Sequence, residues 1–232
     1  MEIVIVVIRI HVGSNLGRLG RSSNTVSIAG NTSLLSKILE KRVKAILKHI
    51  INDDLELRLL EPFYTEVIFQ EIHKNREYLS KWFPWVEKTT SSDDTRARIT
   101  SELQRFANNN GFSLGIFYRN KYIGTISFHD VNWNVKMTSI GYWLSSEYQG
   151  LGIMTTCCKE LLRHGFEVMG LNRIEIRART DNTRSIAIPV RLGFKEEGIL
   201  RQVDFHHNQY YDHVVYGLLK NEWTSSQGKG EH

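Results

Sequence analysis

The sequence predicts an α/β domain built on a mixed sheet with helices on both faces. Three observations predict it. Stretches such as Leu55-Glu-Leu-Arg-Leu-Leu60 and Asn172-Arg-Ile-Glu-Ile-Arg-Ala-Arg179 alternate apolar and polar residues, the period of a half-buried strand. Between them, residues such as Val67, Ile68, Ile72 and Leu79 are spaced as one face of a helix. Late in the chain an apolar run ends at Leu144, a polar turn carries Gln149, Gly150 and Gly152, and helical spacing restarts near Ile153.

The elements follow in order. A first strand over 55–60 is punctuated by Pro62. Helical spacing covers 64–79, and Trp82-Phe-Pro-Trp85 marks a break. Ser91-Ser-Asp-Asp94 reads as a helix N-terminus, since acidic side chains favour the positive end of the dipole; that helix runs over 95–108 and ends at Asn109-Asn-Gly111. Phe112–Tyr118 and 122–129 form a hairpin around Arg119-Asn-Lys-Tyr122. A strand over 138–144, a helix from about 153, a strand over 173–179, another helix and a last strand pair at 198–204 and 213–219 complete the chain. The order β-αα-βββ-α-β-α-ββ is that of a mixed α/β layer structure. The run His206-His-Asn-Gln-Tyr-Tyr-Asp-His213 is expected to be the loop of the last hairpin.

At 232 residues and 41% hydrophobic, the chain suffices for one cored domain, placed at 53–224, with an extension at 1–52 and a disordered tail at 225–232. The net charge of +5 is unevenly placed: residues 1–50 hold eight Lys/Arg against two Asp/Glu, while the remaining 22 Lys/Arg and 23 Asp/Glu nearly cancel. The domain therefore offers no broad footprint for a phosphate backbone, and no direct nucleic-acid partner is expected. Cys157 and Cys158 are adjacent and point apart on a helix, which excludes a disulfide between them. They read as small buried side chains in a reduced, cytoplasmic setting. No Cys/His spacing resembles a zinc site, and the histidines of 206–213 set no tetrahedral geometry, so no metal is expected.

The extension reads differently from the rest. Its β-branched opening is too short to span a bilayer and is interrupted by Arg9, and neither a membrane partner nor a secretory leader is expected. Helical spacing at 33–51, capped by Ser33, follows a Gly/Ser/Asn-rich linker. A docking arm, a poorly ordered tail with one helix, and non-native upstream sequence are the three readings; the last two are favoured together, because the domain signals begin near Asp53.

A strand that stops at a glycine-bearing turn and restarts as a helix leaves several N–H groups unpaired and pointing one way. That is a cradle for a phosphate or pyrophosphate. The turn lacks the third glycine of a Rossmann fingerprint, where Thr155 stands, and has no Gly-Lys-Ser/Thr of a Walker loop. It resembles instead the Gln/Arg-x-x-Gly-x-Gly/Ala signature of the GNAT superfamily of N-acyltransferases: Gln149 and Gly152 match, and Met154 replaces the usual Gly or Ala. A second likeness follows in Asn182-x-x-Ser185, Arg191-Leu-Gly-Phe194 and Glu197-Gly198. With Ile140-Gly-Tyr-Trp143 ahead and Tyr216-x-Leu-Leu-Lys-Asn-Glu-Trp223 at the end, the chain is similar to the RimJ/RimL-type ribosomal-protein acetyltransferases over roughly 53–223.

The resemblance implies a GNAT-type sheet, mixed but mostly antiparallel, whose central strands splay. Here these are the strand ending at Leu144 and the strand at 173–179. It implies acetyl-CoA as co-substrate, with the pyrophosphate on Gln149, Gly150, Leu151, Gly152, Ile153, Met154 and Thr155. Trp143 and Leu144 would meet the thioester end through main-chain groups, and Asn182 would bond the pantetheine amide or simply cap its helix. Ser185 is the implied donor to the leaving thiolate, because Ile188-Pro-Val190 offers no tyrosine one turn on. Relatives often carry Glu before Ile-Gly-Tyr-Trp; this chain has Ser139, which leaves His129, or else Glu71 or His73, as base. Trp82, Phe83 and Trp85 would line the acceptor groove or cap a core, and the loop with Tyr210 and Tyr211 would close it. The acceptor would be a peptide N-terminus, plausibly of a ribosomal protein, or a small amine such as a polyamine, amino acid or antibiotic. A weakly active acyl-CoA-binding module is the alternative outside enzymes, and the resemblance leaves room for a homodimer.

Overall fold

The structure, a computed structural model, describes residues 48–227. One eight-stranded sheet runs in the order β1-β2-β3-β4-β5-β6-β8-β7. Its strands are β1 (Lys48–Ile50), β2 (Leu55–Leu59), β3 (Phe112–Tyr118), β4 (Lys121–Phe128), β5 (Met137–Leu144), β6 (Arg173–Arg179), β7 (Lys195–His206) and β8 (Gln209–Leu219). The helices are α1 (Thr65–Lys74), α2 (Arg76–Ser80), α3 (Trp85–Lys88), α4 (Ser92–Ala107), α5 (Ile153–Arg163), α6 (Thr183–Arg191) and α7 (Lys220–Gln227). All strand pairs with stated register are antiparallel except β5 with β6.

Strand alternation gives the sheet two apolar faces, and each builds its own core. On one face Phe117, Tyr122 and Trp143 pack with Ile68 and Ile72 of α1, Leu79, Val86 and Ile99. On the other, Ile116, Ile126, Ile140, Leu144 and Ile176 pack with Ile153, Cys157, Leu161 and Leu162 of α5, Phe166 and Trp223. The expected α/β layering with helices on both faces is thus present. Both cysteines are free and buried in the second core, and burial pushes the Cys157 thiol up to about 12. They behave as small apolar side chains. Among the described residues no helix is long and apolar enough to cross a membrane.

Several expectations need correction. The helix read over 64–79 breaks at Asn75, whose φ of −102° and ψ of 12° leave the helical region. Asn75 bonds back to the Glu71 carbonyl and accepts from the N–H and hydroxyl of Ser146, so its side chain is committed to tertiary contacts. The helix read over 33–51 lies mostly outside the described residues, but its last part is strand β1; Ile51 and Asn52 donate to the Leu55 carbonyl and fold β1 back toward β2. The loop read over 206–213 is only a two-residue turn, His207 and Asn208, with φ of 49° and 58°, and the strands run up to it. Positive φ at both central residues is what a tight hairpin needs. At the other end α7 extends to Gln227, into the segment read as tail; the rest of that segment lies outside the described residues.

The compact unit begins at His49, whose Nε2 lies 3.0 Å from Glu160 Oε2 on α5. A cut at 52 would remove that contact together with β1. Deleting residues 1–47 should leave a cooperatively melting domain, with the midpoint moved by less than about 4 °C, the equivalent of about 1 kcal/mol in a domain of this size. A melt followed by circular dichroism tests this; loss of cooperativity would mean that the domain needs the deleted segment.

Candidate functional site

The site begins where β5 and β6 part. Their parallel pairing covers Met137 to Ile140 against Arg173 to Ile176 and stops there. Beyond it β5 keeps to β4 as far as Leu144, while β6 keeps to β8 as far as Arg179. A cavity of about 880 Å³ opens between them, walled by both strands, the start of α6, part of α4 and Trp82, Phe83 and Trp85.

Strand parity decides which main-chain groups face this gap. Ser145 donates to Ile123 O at 2.8 Å, and Ser139 O accepts from the His129 N–H at 2.9 Å. Residues that exchange such bonds alternate along an antiparallel pair, so Trp143 turns its N–H and C=O to β4. Tyr142 and Leu144 turn theirs into the gap; the Leu144 carbonyl accepts only a long bond, 3.4 Å, from Gln149 Nε2. Trp143 lines the cavity, but its main chain pairs with β4 and its indole, 6% exposed, packs in the core.

At the mouth of the gap lies the glycine turn. Gly150 and Gly152 have φ of 79° and 75°, and a Cβ at either would meet nothing within 4 Å, so they serve the left-handed backbone rather than space. Gly152 is the N-cap of α5, whose first helical bond runs from Thr156 N to Gly152 O. The N–H groups of Ile153, Met154 and Thr155 therefore have no helical carbonyl to bond. The Ile153 and Met154 side chains turn into the core, which is how methionine is accommodated at a position otherwise small. Leu151 is exposed. Two guanidiniums, absent from the sequence-level site, reach the turn from α6: Arg184 donates to Gln149 Oε1 and Arg191 to Thr155 Oγ1, each at 2.8 Å. Their seven-residue spacing, two turns on one helix face, was the available signal. Unpaired N–H groups, a helix N-terminus and two guanidiniums together suit a polyanion.

Deeper in, Asn182 caps α6 by accepting from Ser185 N at 3.1 Å, the bland reading of that residue, while still lining the cavity. Ser185 Oγ lies 3.3 Å from the Tyr142 hydroxyl, which also donates to Ser185 O at 3.1 Å. Burial pushes the Tyr142 phenol well above its usual range, so it keeps its proton. Sequence reading missed this tyrosine because it looked for one on α6; here it comes from β5, in Ile140-Gly-Tyr-Trp143.

His129 follows β4 and lines the opposite wall. Its Nδ1 is 3.0 Å from Ser139 Oγ, and a Cβ at Gly141 would overlap its ring, so glycine there makes room for the imidazole. Its ring is open on the cavity side, but desolvation against the strands, with the Arg105 charge nearby, lowers its pKa from the ordinary 6.5. The other two candidate bases lie elsewhere. Glu71 accepts from Ser145 Oγ at 2.6 Å and braces the β5 turn, and His73 is exposed; neither lines the cavity.

The wall carrying His129 is polar. Glu175 is buried between the guanidiniums of Arg173 and Arg177, and Glu102 accepts from Ser113. Arg98 lies over the Trp85 ring at 4.6 Å and has no acidic partner among the described residues. Trp82, Phe83 and Trp85 do line this wall, whereas Tyr211 lies behind Arg179, whose guanidinium stacks on its ring at 3.3 Å. Tyr211 is thus a support for Arg179 and does not line the cavity, because the strand continues where a loop was expected.

Comparison with known proteins agrees with this arrangement. The family model described as "Acetyltransferase (GNAT) domain" matches residues 54–195. The chain is 37% identical over 178 residues to the "Putative ribosomal N-acetyltransferase YdaF" of Bacillus subtilis (strain 168), covering 76% of this chain and 97% of the relative. Among solved structures it is similar to RimL, the ribosomal L7/L12 alpha-N-protein acetyltransferase in complex with coenzyme A, with a TM-score of 0.73 and 27% identity over 75% of this chain and 99% of the other. It is also similar to the microcin C7 self-immunity acetyltransferase MccE in complex with acetyl-CoA and AMP, with a TM-score of 0.70 and 28% identity over 73% and 94%.

Proposed function

The chain belongs to the GNAT acetyltransferase family and uses acetyl-CoA as co-substrate, and on that premise we propose that it acetylates the α-amine of a protein N-terminus, with a ribosomal protein as the leading acceptor. The observation that carries this reading is the parting of β5 and β6, which joins the anion cradle at 150–155 to a polar, aromatic groove on the far side of the sheet. Pantetheine would thread the gap against the free main-chain groups of Tyr142 and Leu144. The acceptor would enter past Trp82, Phe83 and Trp85, with Arg98 available to an acceptor carboxylate.

The chemistry needs few parts. A neutral amine attacks the thioester carbonyl; the C–N bond forms, the C–S bond breaks, and the acetyl group leaves as an amide. An N–H directed into the gap would polarise the carbonyl as charge develops. The departing thiolate would accept a hydrogen bond from the Ser185 hydroxyl, which Tyr142 holds in place, and would take its proton from solvent. The surplus amine proton would go to the neutral His129 imidazole, directly or through water. Holding amine and thioester together supplies much of the remaining rate. The setting that goes with this reading is cytoplasmic.

A turnover screen with acetyl-CoA, across peptides of different N-termini and a panel of small amines, tests the acceptor. The reading expects the best peptide to exceed every small amine in kcat/KM by at least about tenfold, or about 1.4 kcal/mol. The reverse order would remove the peptide assignment and leave acetyl transfer standing.

The pH profile tests His129. Its lowered pKa leaves it unprotonated through neutral pH, so a His129-dependent rate is lost only as pH falls through a value below 6.5. The acceptor α-amine titrates higher, near about 8, and its limb belongs to parent and variant alike. His129→Gln should lower the plateau and remove the second break below 6.5, leaving the amine limb alone. A break below 6.5 that persists in the variant belongs to another group.

A further inference from the structure

We propose that Glu87, His206 and His207 form a divalent-cation site of the zinc type, linking the β7–β8 turn to α3. The three side chains offer one ligand atom each within 4.8 Å of one another. Glu87 Oε1 lies 3.5 Å from His206 Nε2 and 3.5 Å from His207 Nδ1. That separation is long for an N–H···O hydrogen bond. It is close to the edge of a tetrahedron around an ion with bonds of about 2.0–2.1 Å, which is about 3.3–3.4 Å.

The second observation is independent of that spacing. His206 is 4% exposed, and neither of its ring nitrogens has a hydrogen-bond partner among the described residues. A buried imidazole with both nitrogens unfilled is costly and calls for a ligand. Its Nε2 faces the same carboxylate oxygen as its neighbour. The two rings stack at 3.9 Å between centroids, which brings both imidazoles to one side of that carboxylate.

The surroundings fit a ligating pair. His207 Nε2 lies 3.3 Å from the Ser80 carbonyl, the outer-shell partner that fixes a ligating histidine with its Nδ1 toward the ion. The Glu87 and His207 side chains are 50% and 52% exposed, which leaves an entry path and room for water as fourth ligand. Adjacent histidines alone set no tetrahedral geometry, which is why spacing along the chain points to no metal. The third ligand arrives from α3, and only the two-residue turn brings it within reach. Because α3 also carries Trp85, an ion here would tie down the acceptor wall and leave the glycine turn untouched.

The test titrates zinc chloride into the full-length chain, free of tag histidines and stripped with chelator, followed by calorimetry. Cobalt(II) absorption reports the coordination geometry. One ion per chain with a tetrahedral cobalt spectrum is expected. Loss of an outer-shell partner alone weakens metal binding about 10- to 100-fold, so removing a ligand by Glu87→Gln or His207→Ala should weaken zinc by at least about tenfold. Both positions are exposed and should tolerate change, whereas replacing the buried His206 endangers the fold. The absence of saturable binding overturns the proposal, and so does saturable binding that both variants leave within about twofold.

Discussion

Gly152→Asp should weaken coenzyme A binding by at least about 100-fold, roughly 2.7 kcal/mol, while costing the fold no more than about 1–2 kcal/mol. Gly152 has φ of 75° and is the N-cap of α5. A side chain there adopts the left-handed region at about 1–2 kcal/mol, less for Asp than for most residues. The effect on the ligand is larger. A carboxylate about 4 Å from a phosphate charge at an effective dielectric of about 20 costs about 4 kcal/mol, and the new side chain would accept the very N–H groups meant for the ligand. Gly152→Ala separates the causes: a Cβ meets nothing within 4 Å, so it carries the strain without the charge. Calorimetric titration of coenzyme A beside a thermal melt reads both quantities. Undiminished affinity in the Asp variant would take the glycine turn out of the binding site.

Tyr142→Phe and Ser185→Ala should each slow turnover at saturating acetyl-CoA by about 10- to 150-fold, the equivalent of about 1.5–3 kcal/mol, with much smaller effects on coenzyme A affinity. The two hydroxyls are 3.3 Å apart, and the buried phenol holds its proton. A bond to sulfur that strengthens as thiolate charge develops acts in the transition state and hardly in the ground state. If the two hydroxyls act as one hydrogen-bonded unit, the double variant should be slower by far less than the product of the two single effects. Steady-state kinetics with a coenzyme A titration separates rate from binding. Multiplicative effects would mean two independent roles. Turnover within about twofold of the parent in both single variants would mean that neither hydroxyl stabilises the departing thiolate.

Features that depend on local chain chemistry were legible in the sequence. Alternation and helical spacing identified most elements, because a side chain's face follows from its position along a strand or helix. The turn at Gly150 and Gly152 and the cap at Asn182 were legible because a left-handed backbone and an N-cap each select residue types on the spot. Asn75 shows the limit: within 64–79 it reads as one more helical residue, yet its amide is drawn to Ser146, 71 residues on. The β7–β8 hairpin shows another, since polar composition over 206–213 says loop, while the pairing of Asp204 with Tyr211 and of Phe205 with Tyr210 carries the strands to the turn.

By itself, then, the sequence determined the α/β class, the mostly antiparallel sheet implied by its family resemblance, and the glycine turn. Only the tertiary structure decided which groups meet. Tyr142 reaches Ser185 across 43 residues, Arg184 and Arg191 reach Gln149 and Thr155 across 35 and 36, and Ser139 holds the imidazole for which Gly141 makes room. The sequence left Trp143 and Leu144 equal as main-chain contacts, and the register of β5 on β4 separates them: a slip of one residue would exchange which of the two faces the gap. The physical reason is common to all of these. Local pattern sets which face a residue occupies, but register and the packing of distant elements set what stands opposite it.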